Sequence, residues 1–135
     1  DRKADLYLAD TLGEMGLFLR LADVVVMGGA FAPGVGGHNP LEPARLGKPT
    51  VTGPDMSNWA AITDYLIEAN ALAQVQTQGD LAGVVAPLLA DPGEARAMGQ
   101  RALKATQGSG GDALDQLFET IEPLLPPAPA RGRRA

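Results

Sequence analysis

The sequence predicts an α/β fold of the doubly wound, Rossmann-like kind, in which helices cover a parallel sheet. Short apolar segments alternate with longer helical segments along the chain, and this alternation is typical of strands joined by crossover helices. The segment DVVVMGG at 23–29 is apolar without a polar alternation and ends in two glycines. Such a run indicates a strand that is covered on both faces, as in a parallel sheet.

Four strands are predicted. In residues 5–10, DLYLAD, the apolar side chains of Leu6 and Leu8 occupy alternate positions, which predicts a short strand. The buried strand at 23–29 comes next, followed by 48–54, which ends in a Gly-Pro turn, and by the weaker segment 71–76.

Helices are predicted between and after these strands. Thr11 and Glu14 have the spacing of an N-cap and its capping-box partner, while Pro87 is expected to kink or break the helix that contains it. The glycine-rich segment 108–111 is expected to break the chain before a last helix. The predicted helices are 13–22, 40–46, 59–69, 79–91, 92–106 and 112–125.

Composition limits the class of protein. The length suits one domain, predicted over residues 1–125, and the Pro- and Arg-rich segment 126–135 is predicted to be disordered. With a net charge of −5, a nucleic-acid partner is disfavoured. Without cysteine and with a single histidine, disulfides, thiolate metal sites and histidine-rich metal sites are excluded. No apolar run approaches the length of a transmembrane span, and the charged opening DRKAD is unlike a signal peptide.

The densest group of glycine and polar residues is GGHNPLEP, residues 36–43. It follows the predicted strand 23–29, and in doubly wound sheets ligands bind beyond the carboxyl ends of the strands. Glycine lets backbone N–H groups approach a ligand, and a helix N-terminus attracts anions. The loop matches neither a phosphate-binding Gly-Lys-Ser/Thr motif nor G-x-G-x-x-G, so NAD is not favoured and no cofactor is predicted.

These residues also have structural interpretations. Asn39, Pro40 and Glu42 have the spacing of N-cap, N1 and N3 in a capping box, and His38 is compatible with a solvated loop residue.

Two further polar loops, 10–14 and 52–58, follow other predicted strands, and in the second Ser57 or Asn58 is expected to cap the next helix. Three polar loops converging on one sheet edge favour a ligand site over isolated caps.

Three segments together resemble a known family: DTLGEMG, VVVMGGAFAPGVGGHNPLEPARLGKPTVTGP and GDALDQLFETIEPLL. They are similar to the C-terminal part of 3-deoxy-D-manno-octulosonic acid (Kdo) transferases, bacterial enzymes that transfer Kdo from CMP-Kdo to the lipid A precursor. The match is in order and spacing over 10–54. A broader pattern through Glu42, Gly47 and Pro49 is shared by glycosyltransferases of the GT-B fold.

The resemblance implies a GT-B enzyme with two Rossmann-like domains, of which this chain is the C-terminal, donor-binding one in incomplete form. It implies that Glu42 accepts hydrogen bonds from the ribose hydroxyls of CMP. It also implies that the backbone of Gly36 and Gly37, with the N–H groups near Asn39 and Leu41, meets the donor phosphate or the Kdo carboxylate.

His38 belongs to the same implied donor-binding set, and Thr11, Gly13 and Glu14 would line the same cleft. The family's catalytic base and acceptor site lie in its N-terminal domain, and its Ser-Thr-His and Pro-Arg-His segments do not occur in this sequence. The resemblance therefore implies no catalytic residue in this chain, an inactive isolated fragment, and a parent enzyme at the cytoplasmic face of the bacterial inner membrane.

Two alternatives stay open. Another GT-B enzyme, such as a nucleotide-sugar epimerase or the transferase that completes lipid II, shares the glutamate but fits GGHNPLEP less well. A non-catalytic α/β binding module would share only the fold.

Overall fold

The computed structural model describes residues 5–121, with side chains through Gln107. Its centre is a parallel sheet of three strands in the order β1-β2-β3. The strands are β1 (Val25–Met27), β2 (Thr50–Thr52) and β3 (Ala73–Gln74). Val51 of the central strand lies in register with Val26 on one side and Ala73 on the other. Three of the four predicted strands and their parallel arrangement are confirmed.

Five α-helices accompany the sheet in the described residues: α1 (Met15–Leu21), α2 (Leu41–Arg45), α3 (Ala60–Glu68), α4 (Leu81–Ala90) and α5 (Pro92–Ile121). Three short 3₁₀ turns connect them: Gly28–Phe31, Ser57–Trp59 and Gln78–Asp80. None of the helices in this part of the chain is long and apolar enough to cross a membrane.

The central strand is buried on both faces. Side chains alternate between the two faces of a strand, so Val51 points away from Thr50 and Thr52. All three are at most 2% exposed. Val51 belongs to a core cluster with residues from α4 and α5, while a second cluster joins α2, α3 and α5. The run 23–29 was also expected to be covered on both faces, but this is wrong for β1, where Val26 is 42% exposed. β1 lies at the edge of the described sheet, and fewer elements pack on it than on the central strand.

The predicted strand at 5–10 is wrong. These residues form no strand, and Leu6 and Leu8 are 86% and 81% exposed. An alternating pattern yields a strand only where a neighbour supplies backbone partners, and within the described part of the chain β1 pairs with β2 alone. Segment 5–10 does not fill the free edge of β1.

The predicted break at 108–111 is also wrong, because α5 continues from Pro92 to Ile121. Glycine costs roughly 1 kcal/mol in a helix relative to alanine, but it keeps the N–H donor of the helical hydrogen bond. Only proline removes that donor. The last four residues of the predicted helix 112–125, and the tail 126–135, lie outside the described residues.

Two helix starts differ in their caps. Thr11 does not cap α1, whose first turn instead uses the backbone carbonyl of Glu14 as acceptor for Leu17 N–H at 2.9 Å. Asp91 does cap α5, since its carboxylate accepts the N–H groups of Gly93 at 2.9 Å and Glu94 at 3.1 Å. The predicted start at 92 is therefore confirmed. Pro87 lies within α4 without ending it.

Candidate functional site

The glycine-rich loop leaves the carboxyl end of β1 and leads to α2. Gly34, Gly36 and Gly37 have φ values of 75°, 70° and 78°, in the left-handed region where a Cβ is disfavoured. The requirement for glycine here is conformational, whatever the loop binds.

At the start of α2, only one of the two side-chain bonds of the predicted capping box is formed. Asn39 Oδ1 accepts the N–H of Leu41 at 3.0 Å, as a capping asparagine does. The reciprocal bond from Asn39 N–H to the Glu42 carboxylate is not formed, and Glu42 makes no side-chain hydrogen bond within the described residues. Glu42 is exposed in the first turn of α2. Its carboxylate is available to a ligand.

The imidazole of His38 lies against the backbone of Gly29. A Cβ added at Gly29 would overlap the ring, so the glycine makes room for this contact between the two ends of the loop. His38 is otherwise exposed.

The segment 10–14 makes no hydrogen bond to the glycine-rich loop in the described structure. The Thr11 hydroxyl donates to the Glu14 carboxylate, and Gly13 has a φ of 88°. Thr11, Gly13 and Glu14 are all exposed, and in the described structure no hydrogen bond links them to 36–42. Their predicted place in the donor cleft stays a prediction.

The β2–α3 loop, by contrast, holds the glycine-rich loop directly. Asp55 N–H donates to Ala30 O at 3.1 Å, and Asn58 N–H donates to Gly36 O at 3.1 Å. The side-chain amide of Asn58 donates to Val35 O at 2.9 Å. Ser57 and Asn58 were expected to cap α3, but neither does so. The partners of Asn58 lie more than 20 residues away, so local spacing carried no sign of them.

Asp55 places a negative charge beside the glycine-rich loop. Its carboxylate accepts the hydroxyl of Ser57 at 2.8 Å and the N–H of Ser57 at 3.3 Å. These bonds, with a smaller contribution from the N–H of Gly36, hold the pKa of Asp55 below its ordinary value. A donor anion at the Gly36 amide would meet this carboxylate, and the Leu41 amide is already bonded to Asn39. His38 is exposed and Asn39 is half-buried, so their amides are the more accessible donors, whereas Gly37 is buried.

The lowered pKa of Asp55 leads to a prediction on pH. A carboxylate whose folded pKa is depressed contributes stability fully above its unfolded pKa of about 4, and loses it as pH falls through the folded value. The contacts of Asp55 with Ser57 should therefore persist at pH 5–8 and be lost only in more acidic solution. An NMR titration of the Ser57 amide tests this, with Asp55→Asn as the control that should abolish the acidic transition. A midpoint above pH 4 would contradict the prediction.

The loops after all three strands border one groove of about 480 Å³. Its walls include Phe31 and Pro33 after β1, Pro54 and Asp55 after β2, and Thr77 after β3. Another cavity, of about 310 Å³, lies at the opposite sheet edge beside Lys48, whose ammonium already donates to the carbonyls of Arg20 and Ala22. The groove at the carboxyl edge is not lined by residues 36–42, so the structure does not bring the predicted donor-binding residues into it.

Comparison with known proteins identifies the family, although no family model matches the chain. The 3-deoxy-D-manno-octulosonic acid transferase of Rickettsia prowazekii is 34% identical over 124 residues, covering 90% of this chain and 26% of the relative. That of Bordetella pertussis is 34% identical over 121 residues, covering 90% and 28%. The chain therefore spans about a quarter of the length of the relatives it matches.

A solved structure gives the same result in three dimensions. The C-terminal CMP-Kdo binding domain of WaaA from Acinetobacter baumannii matches with a TM-score of 0.71 and 37% identity, over 75% of this chain and 52% of that one. The sequence resemblance, the parallel α/β sheet and the identity to this domain agree with one another. The chain belongs to the Kdo transferase family and corresponds to part of its C-terminal domain.

Proposed function

We propose that this chain supplies the CMP-Kdo binding surface of a glycosyltransferase that transfers Kdo from CMP-Kdo to the lipid A precursor. The observation that carries the proposal is the likeness, at 37% identity, to a domain described as CMP-Kdo binding. The exposed carboxylate of Glu42 and the glycine-rich loop, together at the carboxyl edge of the sheet, support it.

The roles follow from the chemistry of each group. Glu42 accepts hydrogen bonds from the ribose hydroxyls, and the amides of Gly37, His38 and Asn39 face the phosphate or the Kdo carboxylate. No residue of this chain is assigned to the bond-breaking step, because the family resemblance implies that the catalytic base and the acceptor site lie in the N-terminal domain. The chain alone is therefore expected to be inactive.

The test uses a chimera in which residues 5–121 replace the segment that they match in the A. baumannii domain, here called the completed domain. It should bind CMP-Kdo, measured by calorimetry, and should not bind UDP-N-acetylglucosamine. Binding of the UDP-sugar instead would favour another GT-B enzyme, and binding of neither would favour a non-catalytic module.

Replacing Glu42 by glutamine should weaken CMP-Kdo binding by the completed domain about tenfold or more. Charge-assisted hydrogen bonds contribute on the order of 1.5–3 kcal/mol, and 1.4 kcal/mol is a factor of ten in affinity. The melting temperature should not change, because Glu42 makes no capping bond.

Glu68→Gln is the matched control, since Glu68 is an exposed glutamate at the end of α3. It should alter neither affinity nor melting temperature. If Glu42→Gln leaves affinity unchanged, Glu42 does not bind the donor.

The parent enzyme is proposed to act at the cytoplasmic face of the inner membrane, where a lipid acceptor requires it. The sequence of this chain offers three arginines near its end, Arg131, Arg133 and Arg134. Each contributes about 1 kcal/mol near anionic lipid, a weak and salt-sensitive attraction. The main attachment is assigned to the part of the enzyme outside this chain.

A further inference from the structure

We propose that the segment Asp55–Asn58, here called the loop clamp, sets the shape of the glycine-rich loop, with Asn58 as the positioning residue for the donor. The donor part of this inference rests on the proposed function. The shape of the loop itself is tested without any ligand.

Asn58 holds two consecutive carbonyls of the loop. Its side-chain amide donates to Val35 O at 2.9 Å, and its backbone N–H donates to Gly36 O at 3.1 Å. Both bonds come from one residue, so they fix the orientation of two successive peptide units. At Gly34, by contrast, an added Cβ would meet nothing within 4 Å.

The clamp also occupies the space that side chains at Gly36 and Gly37 would need. A Cβ at Gly36 would lie 2.5 Å from Asn58 Nδ2 and 2.9 Å from Ser57 Oγ. A Cβ at Gly37 would overlap Met56 Sδ and lie 3.0 Å from Asp55 O. The two glycines therefore fit the loop against the clamp.

The clamp is anchored to the sheet through Met56. This side chain is 4% exposed, and its sulfur accepts the hydroxyl of Thr52, at the end of β2, at 3.0 Å. The rigid central strand thus sets the position of the clamp, and the clamp sets that of the loop.

The orientation of the Gly36 carbonyl decides which amide can face a ligand. In a trans peptide the C=O and the following N–H point in opposite directions. Because Gly36 O accepts from Asn58, the N–H of Gly37 points away from the clamp. This N–H has no backbone acceptor in the described residues. Gly37 itself is buried, so Asn58 acts on the donor through the orientation of this peptide unit and of the exposed His38 that follows it, without touching the donor itself.

The test is Asn58→Asp, which keeps the size of the side chain but replaces the donor of the Val35 bond by an acceptor. Asn70→Asp is the matched control, because Asn70 is exposed at the other end of α3 and its side chain makes no hydrogen bond in the described structure. Hydrogen exchange of the backbone amide of residue 58, which donates to Gly36 O, should become on the order of tenfold faster in Asn58→Asp and stay unchanged in the control. This is measured in the full chain and in the completed domain.

In the completed domain, CMP-Kdo affinity should fall on the order of tenfold in Asn58→Asp. It is measured well below the melting temperature, which should shift by only a few degrees, so unfolding does not account for the loss. Unchanged amide exchange would overturn the clamp. Faster exchange with unchanged affinity would overturn the positioning role. If the unsubstituted completed domain binds no CMP-Kdo, the proposed function fails, while the exchange experiment still decides the clamp.

Discussion

Gly99→Ala is expected to destabilise the chain by about 3 kcal/mol or more, among the larger effects of single core substitutions. Gly99 is buried in α5, and a Cβ there would overlap the carbonyl oxygen of Gly47 and lie 2.7 Å from its carbonyl carbon. Both are backbone atoms that no change of rotamer can move. The α2–α5 contact must open to admit the methyl group.

Gly83→Ala is the matched control, because Gly83 lies in α4 and an added Cβ meets nothing within 4 Å. Alanine there should stabilise the helix by up to about 1 kcal/mol. Thermal unfolding followed by circular dichroism compares the two, and the Gly99 variant should melt roughly 10 °C lower than the unsubstituted chain. Equal melting temperatures would mean that α2 and α5 do not pack through these glycines.

The 135-residue chain produced alone is expected to self-associate. Apolar side chains before and within α1 are exposed, and among residues 5–121 no strand lies beside the outer edge of β1. The most exposed of these side chains are Leu6, Tyr7, Leu8, Leu12 and Leu21. Apolar patches and open strand edges of this kind mark surfaces that are normally covered. About half of the solved A. baumannii domain has no counterpart in this chain, and it is the expected cover.

Size-exclusion chromatography with light scattering tests this. The chain alone should elute as oligomers and the completed domain as a monomer. Leu8→Glu with Leu12→Glu should reduce the association of the chain alone, whereas Leu89→Glu, at an exposed site in α4, should not. A monomeric chain at high concentration would show that this surface tolerates water.

Local patterns predicted the part of the fold that depends on local causes. The apolar run 23–29 and the segment 48–54 each indicated a strand, and β1 and β2 form there. The expected coverage of 23–29 on both faces was wrong, since Val26 is 42% exposed. The cap at Asn39 could also be predicted from the sequence, since Asn39 Oδ1 accepts a hydrogen bond from a residue only two positions along the chain.

The errors arose where a distant partner decides the outcome. Leu6 and Leu8 have the right alternation for a strand, but no strand pairs with them in the described structure. Asn58 looked like a cap for the helix beside it, and its side chain instead bonds Val35 across 23 positions of sequence.

By itself, the sequence determined the α/β class, the position of the glycine-rich loop and the family, because these depend on periodicity, turn chemistry and motif spacing along the chain. Only the tertiary structure decided that Glu42 makes no capping bond, that Asp55 places a charge beside Gly36, and that Asn58 sets the loop. Which donor meets which acceptor depends on how three strand-end loops pack together. That packing is a property of the folded chain, and no single segment carries it.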